Sequence, residues 1–175
     1  IELYSKVIEA INSISENIDL LIADAIEQAQ IAIIDEERLP SQFEFNVIKE
    51  EGYKLLVRSD HPLAKKRHIS LNAFEDLKFI ERPYCTNRKA FERLTHENNI
   101  SITYQGKAIH DLQLQGLVKL GLGVAVIPES YMTKDDQLAY ITIKLDSPIT
   151  RSIALAYRQL PSTLMQALKT ISFSH

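Results

Sequence analysis

Apolar residues recur along this chain with two different periods, and the switching between them sets the expected order of elements. Val7, Ile11, Ile14, Ile18, Leu21 and Ala25 alternate spacings of four and three with polar residues between them, the pattern of an amphipathic helix. Ser13 with Glu16 three residues later has the form of a capping box, so this region reads as one coiled-coil-like helix or as two. "IAIID" (Ile31 to Asp35) and Tyr53 to Val57 are compact apolar runs of strand type, the second followed by a polar turn into Pro62. A helix feeding a buried strand predicts parallel pairing.

A short strand is expected at Phe79 and Ile80. "ERPYCTN" follows, where Pro83 bars helix and Thr86 or Asn87 can cap a helix carrying Phe91 and Leu94. Ile100 to Tyr104 reads as another short strand. In "IHDLQLQGLVKL" the residues Leu114, Leu117 and Val118 recur at helical spacing, with His110 or Asp111 at the start. Gly121 is then the left-handed C-terminal cap, Val124 to Ile127 a strand buried on both faces, and Pro128 its end. "LAYITIKL" and "RSIALAYRQ" add strands, and Leu164, Leu168 and Ile171 mark a last helix from about Ser162. The chain is α/β throughout.

Composition narrows the classes. With 175 residues, 45% hydrophobic and 25% charged, the chain suits one large domain or two small lobes of ordinary globular type. The formal net charge is −3 and the densest basic run is "KKRH" at Lys65 to His68, so the electrostatic footprint of a nucleic-acid surface is missing. Cys85 is alone, which excludes an internal disulfide and fits a cytoplasmic protein. No run reaches the roughly 18 apolar residues of a membrane span, and the opening residues lack the form of a secretory signal, so no membrane partner is expected. The chain opens at Ile1 and not at Met, so further sequence upstream is expected.

Several segments in fixed order resemble the effector-binding domain of LysR-type transcriptional regulators. "LLVRSDHPLA" resembles that family's strand and its His-Pro-Leu-Ala turn, "LNAFEDLKFI" its following segment, "LQGLVKLGLGVAVIPES" its glycine signature, and "SIALAYRQLPSTLMQALKTI" its last strand and helix. The resemblance covers the chain from about Leu20 onward. It implies a two-lobed, type 2 periplasmic-binding-protein-like α/β fold with two hinge-crossing strands and a small-molecule effector in the cleft. Residues 1–58 and 129–175 would form the first lobe and 59–128 the second, with Arg58, Ser59 and Val126 at the hinge. The family's opening Gly-x-Leu-x-Ile-Gly strand is not found here, and residues 1–20 fit the first domain helix, a dimer-forming linker helix, or segments flanking a gap in the family's sequence.

The candidate effector contacts each have a plainer reading. Arg82 follows a strand and precedes a helix start, so it could pair with a carboxylate effector, or it could form a salt bridge with Glu81. Thr86 and Asn87 could bind ligand or cap the helix. Tyr84 could form a cleft wall or be an ordinary loop tyrosine. His110 beside Asp111 could bind an anion or serve the structure. Ile127, Pro128 and Ser130 fall at the proposed return crossing, where their plainer role is strand termination. Cys85 without a second cysteine reads as a bystander thiol. Histidines at 61, 68, 96, 110 and 175 show neither an i,i+4 pair nor a cysteine cluster, so no metal and no cofactor are expected.

The resemblance therefore implies a ligand-sensing regulatory domain, not an enzyme. Its expected partners are a small-molecule effector, a carboxylate or other anion, and further copies in a homodimer or tetramer. DNA would be reached only through a winged helix-turn-helix outside this chain. The rival classes are a transporter's solute-binding protein, which shares the fold, and a small α/β enzyme. No Gly-x-Ser-x-Gly, phosphate loop or dinucleotide fingerprint supports the latter, and no catalytic residue is assigned.

Overall fold

A computed structural model describes residues 2–13 and 26–171. Its elements are α1 (Glu2–Asn12), β1 (Ile31–Asp35), β2 (Glu44–Glu51), β3 (Tyr53–Arg58), β4 (His68–Ser70), β5 (Lys78–Glu81), α2 (Arg88–Glu97), β6 (Thr103–Lys107), α3 (Asp111–Lys119), β7 (Ala125–Pro128), β8 (Leu138–Lys144), β9 (Arg151–Tyr157) and α4 (Ser162–Thr170). They divide into two compact units, Ile1–Glu50 with Arg151–His175, and Glu51–Thr150.

In the first unit the strand order is β1-β9-β2. Val7 and Ile11 of α1 are buried with Ile48 of β2, Ile153, Leu155 and Tyr157 of β9, and Leu168 of α4. The described part of the N-terminal apolar stripe is thus covered within its own unit and gives no support for a dimer. The rest of that stripe, Ile14 to Ala25, and the capping partner Glu16 lie outside the described residues. The expected parallel pairing is corrected: β1 runs antiparallel to β9, with Ile31 opposite Tyr157 and Asp35 opposite Ile153. A preceding helix biases pairing only when the partner is the next strand in sequence, and here the partner comes from the far end of the chain.

The second unit has one sheet in the order β4-β8-β3-β7 and a pair, β5-β6. β3 is antiparallel to both β7 and β8, while β4·β8 and β5·β6 are parallel. Successive strand residues face opposite ways, and β3 uses this to join two cores. Leu55 and Val57 pack with Ile69, Phe74, Phe79 and Ile141. Leu56 packs with Ile80, Leu114, Val118, Ala125 and Ile127. All three β3 residues are completely buried, each stabilising by roughly 1.5–3 kcal/mol.

The compact units divide at 50/51 and 150/151, whereas the sequence reading divided lobes at 58/59 and 128/129. Those two positions fall inside the second unit because β3 and β7 are ladder partners: Tyr53 lies opposite Pro128 and Leu56 opposite Ala125. Arg58, Ser59 and Val126 are therefore members of this unit. Arg58 forks onto Asp60, Ser59 N–H donates to the Gln137 carbonyl, and Val126 lies opposite Leu55.

The glycine signature behaves as its local chemistry predicts. Gly121 N–H donates to the Val118 carbonyl and Leu122 N–H to the Leu117 carbonyl, a Schellman ending with Gly121 at φ 76°. α2 ends the same way with Asn99 at φ 57° and Ile100 N–H on the Thr95 carbonyl. That ending takes up Ile100, so the strand expected from Ile100 begins at Thr103.

Candidate functional site

β5 runs straight into the 82–87 loop, and the first residue of that loop is buried. Arg82, 7% exposed, donates from Nε to Asp111 Oδ1 at 2.8 Å and from Nη1 to the Val126 carbonyl at 3.1 Å. A second nitrogen, Nη2, lies 2.7 Å from Asp111 Oδ1. The guanidinium also stacks 5.1 Å from the Tyr84 ring centre, whose hydroxyl donates to the same carboxylate oxygen at 3.3 Å. Burial pulls the Arg82 pKa down, and Asp111 with Cys85 and Tyr84 raise it by more, leaving it above its ordinary value. Burial likewise pushes the Tyr84 phenol up to about 12. The arginine is an internal tie between β5, α3 and β7. Its partner is Asp111, while Glu81 pairs with Arg88 at 2.8 Å.

Asn87 sits at the N-cap position of α2 but makes no side-chain cap bond. Its amide donates instead to the Tyr53 hydroxyl at 3.1 Å and to the Thr150 carbonyl at 2.8 Å. Cys85 Sγ lies 4.0 Å from that same hydroxyl, and the Tyr53 ring meets Phe91 edge-on at 5.3 Å. Thr86 is half-buried in the loop. His110 is exposed and does cap α3, its Nδ1 accepting from Gln113 N–H at 3.0 Å. A neutral ring that accepts at Nδ1 carries its proton on Nε2.

Ile127 and Pro128 are completely buried, so their side chains serve the core. Ser130 N–H and Oγ hold the two oxygens of Glu51 at 2.7 and 2.8 Å. That carboxylate is 2% exposed and drew no notice in the sequence. Asn87 thus reaches the start of β3 through Tyr53 and Arg82 reaches β7 through Val126, while His110 is engaged within α3. Arg82, Tyr84 and Asp111 form one cluster; Asn87, Cys85 and Tyr53 form another. Asp111 had one legible signal, its place in the first turn of a helix, but its partner was not legible.

Beneath α2 the unit holds a cavity of about 60 Å³, walled by Phe74, Phe79, Ile80, Phe91, Ile102 and Val126 and reached by Arg82, Cys85 and Arg88. Sites for whole metabolites run to about 300–1,000 Å³, so a metabolite does not fit inside it. Among the described residues, no group of three or more His, Cys, Asp or Glu could hold a metal ion, and no helix is long and apolar enough to cross a membrane.

The mixed α/β elements and their order define a binding-domain fold of the type 2 periplasmic-binding-protein class. Residues 14–171 match the LysR substrate binding domain, and the chain belongs to that family. HinK, a LysR family regulator from Pseudomonas aeruginosa, is similar in structure with a TM-score of 0.73 at 16% identity, covering 95% of this chain and 63% of that one. The CcmR regulatory domain of Synechocystis PCC6803, solved in complex with 2-PG, has a TM-score of 0.67 at 21% identity, covering 83% and 73%. In sequence, the uncharacterized HTH-type transcriptional regulator YbhD of Escherichia coli (strain K12) is 29% identical over 112 residues, 63% of this chain. The chain spans about a third of that relative, 35% of its length.

Proposed function

We propose that this domain senses a small anionic molecule for a LysR-type transcriptional regulator, by binding and without bond chemistry. The observation that carries the reading is the gathering of the 82–87 loop, the start of α3 and the end of β7 at one end of a sheet in a LysR substrate binding domain. Asn87 gives α2 no side-chain cap; Arg88 N–H is taken by the Cys85 carbonyl at 3.2 Å, and the N–H groups of a helix's first turn after it favour an anion. His110 adds an exposed Nε2–H donor at the start of α3. The CcmR regulatory domain, solved in complex with 2-PG, supports a small-molecule ligand. Arg82 enters this reading as the residue that holds the loop, since its donors already face Asp111 and Val126. In the whole protein the output is transcriptional, through a winged helix-turn-helix and a homodimer or tetramer.

The test is a thermal-shift screen of the purified domain over carboxylates, aromatic acids, amino acids and inorganic anions. A genuine ligand at about 100 times its Kd stabilises by about 2.7 kcal/mol. Asn87→Ala and His110→Ala should each weaken the best hit, with the fold retained. A hit whose affinity neither substitution changes, or a neutral hit that outbinds every anion, overturns the assignment.

A further inference from the structure

The cavity beneath α2 carries a chemistry different from that of the loop in front of it. Its walls are mostly aromatic and aliphatic, Tyr104 among them, and Thr95 and Arg82, two of the polar side chains that reach it, are already engaged. Thr95 Oγ1 donates within its own helix, lying 3.0 Å from both the Phe91 and Glu92 carbonyls, while Arg82 faces Asp111 and Val126. The mouth is guarded by Arg88, whose Nε meets Glu92 at 2.7 Å and whose Nη1 meets Glu81 at 2.8 Å. Two carboxylates to one guanidinium leave excess negative charge at the entrance, which opposes an anion.

We propose that this cavity, which lies behind the anion-sensing loop and shares Arg82 and Cys85 with it, is a second ligand site that takes the apolar end of a small neutral molecule. A cavity of ~150 Å³ holds benzene; by proportion, the 60 Å³ here holds roughly two or three carbon atoms. The rest of the ligand projects through the mouth past Arg88. The anion reading is tested at Asn87 and His110 and this one at Ile102 and Glu92, so either can fail alone.

The probes are 1-propanol and butyrate, which share a propyl end and differ in charge. Methyl NMR of the domain reads them at Ile80, Ile102 and Val126, with Ile153 and Leu155 of the first unit as controls. The expected result is saturable shifts at the three cavity residues with 1-propanol and at least tenfold weaker binding of butyrate. Ile102→Phe, which fills the space, should weaken 1-propanol at least tenfold at Ile80 and Val126. Glu92→Gln should narrow the gap between the two probes. Shifts that do not saturate, that spread equally to the controls, or that are as strong with butyrate overturn the proposal. The comparison of probes on the parent protein decides even if Ile102→Phe does not fold.

Discussion

Gly123→Ala tests whether the glycine signature is a packing device. Gly123 lies at φ 150°, and a Cβ added there meets the Lys78 carbonyl oxygen at 2.6 Å. The obstacle is backbone, so no side chain can swing aside. Relief requires β5 to withdraw from Val124, and the two are joined by Ile80 N–H on the Val124 carbonyl at 2.8 Å and Val124 N–H on the Lys78 carbonyl at 2.9 Å. Strained backbone at such a position costs about 1–3 kcal/mol, and each lost bond about 1 kcal/mol more. With both bonds lost the sum is about 3–5 kcal/mol, or a fall in Tm of roughly 6–20 °C for a chain of this size.

Two sister substitutions calibrate that number. Gly121→Ala faces φ 76° but meets only the far end of the exposed Arg58 side chain at 2.8 Å, so its cost is the left-handed backbone alone, about 1–2 kcal/mol. Gly116→Ala has nothing within 4 Å of the new Cβ and sits inside α3, so it should stabilise by about 0.5–1 kcal/mol. Urea unfolding of the three variants should rank them Gly116→Ala above the parent, then Gly121→Ala, then Gly123→Ala. If Gly123→Ala proves as mild as Gly121→Ala, the close approach to β5 is not what fixes this glycine.

Other outcomes follow from the buried and titrating groups. Arg82→Ala strands the largely buried Asp111 carboxylate, its side chain 11% exposed, and should destabilise by about 3 kcal/mol, the low end for a buried pair, whereas Arg82→Met with Asp111→Leu should cost less than the sum of the single changes in a double-mutant cycle. The Tyr84 phenol, held up at about 12 against 10.0 by burial, contributes stability that is full below pH 10 and lost as pH rises through about 12; Tyr84→Phe should remove that last phenolate step from an alkaline absorbance titration. His61 Nδ1 accepts from Leu63 N–H at 3.2 Å, and burial lowers its pKa below 6.5. Its stabilisation is therefore present above 6.5 and lost as pH falls through the lower folded value. His61→Asn should flatten that acid limb in urea midpoints taken on either side of 6.5.

What the sequence disclosed divides by range. The end of α3 at Gly121, the buried run from Val124 and the His110 cap all depend on residues within a few positions of one another, and their chemistry was readable. The direction of β1 was not, because β9 lies more than a hundred residues later. Arg82 shows the same limit at the site. A cation before a helix start looks ready for an anion, yet Asp111, 29 positions away, already occupies it. No local pattern announces that pairing. Arg88 and Glu92 form an i,i+4 ion pair that drew no notice in the sequence, and spacing alone conveys nothing of the cavity they border.

β7 connects these observations mechanically. Val124 bridges Phe79 of β5 in parallel, and the next four residues join β3 in the antiparallel sense, so one short segment fastens the pair β5-β6 to the larger sheet. Val126 sits in the middle of it, and its carbonyl receives Arg82. The 82–87 loop is therefore set by the position of β7, and Tyr53, which receives Asn87, is set by its pairing with Pro128. A ligand that pulls on Asn87 acts on β3 through the Tyr53 hydroxyl, and a change that shifts Gly123 acts on the loop through Val126. Stability at the glycine and affinity at the loop should for that reason be coupled: Gly123→Ala should weaken the best anionic hit although it touches no proposed contact.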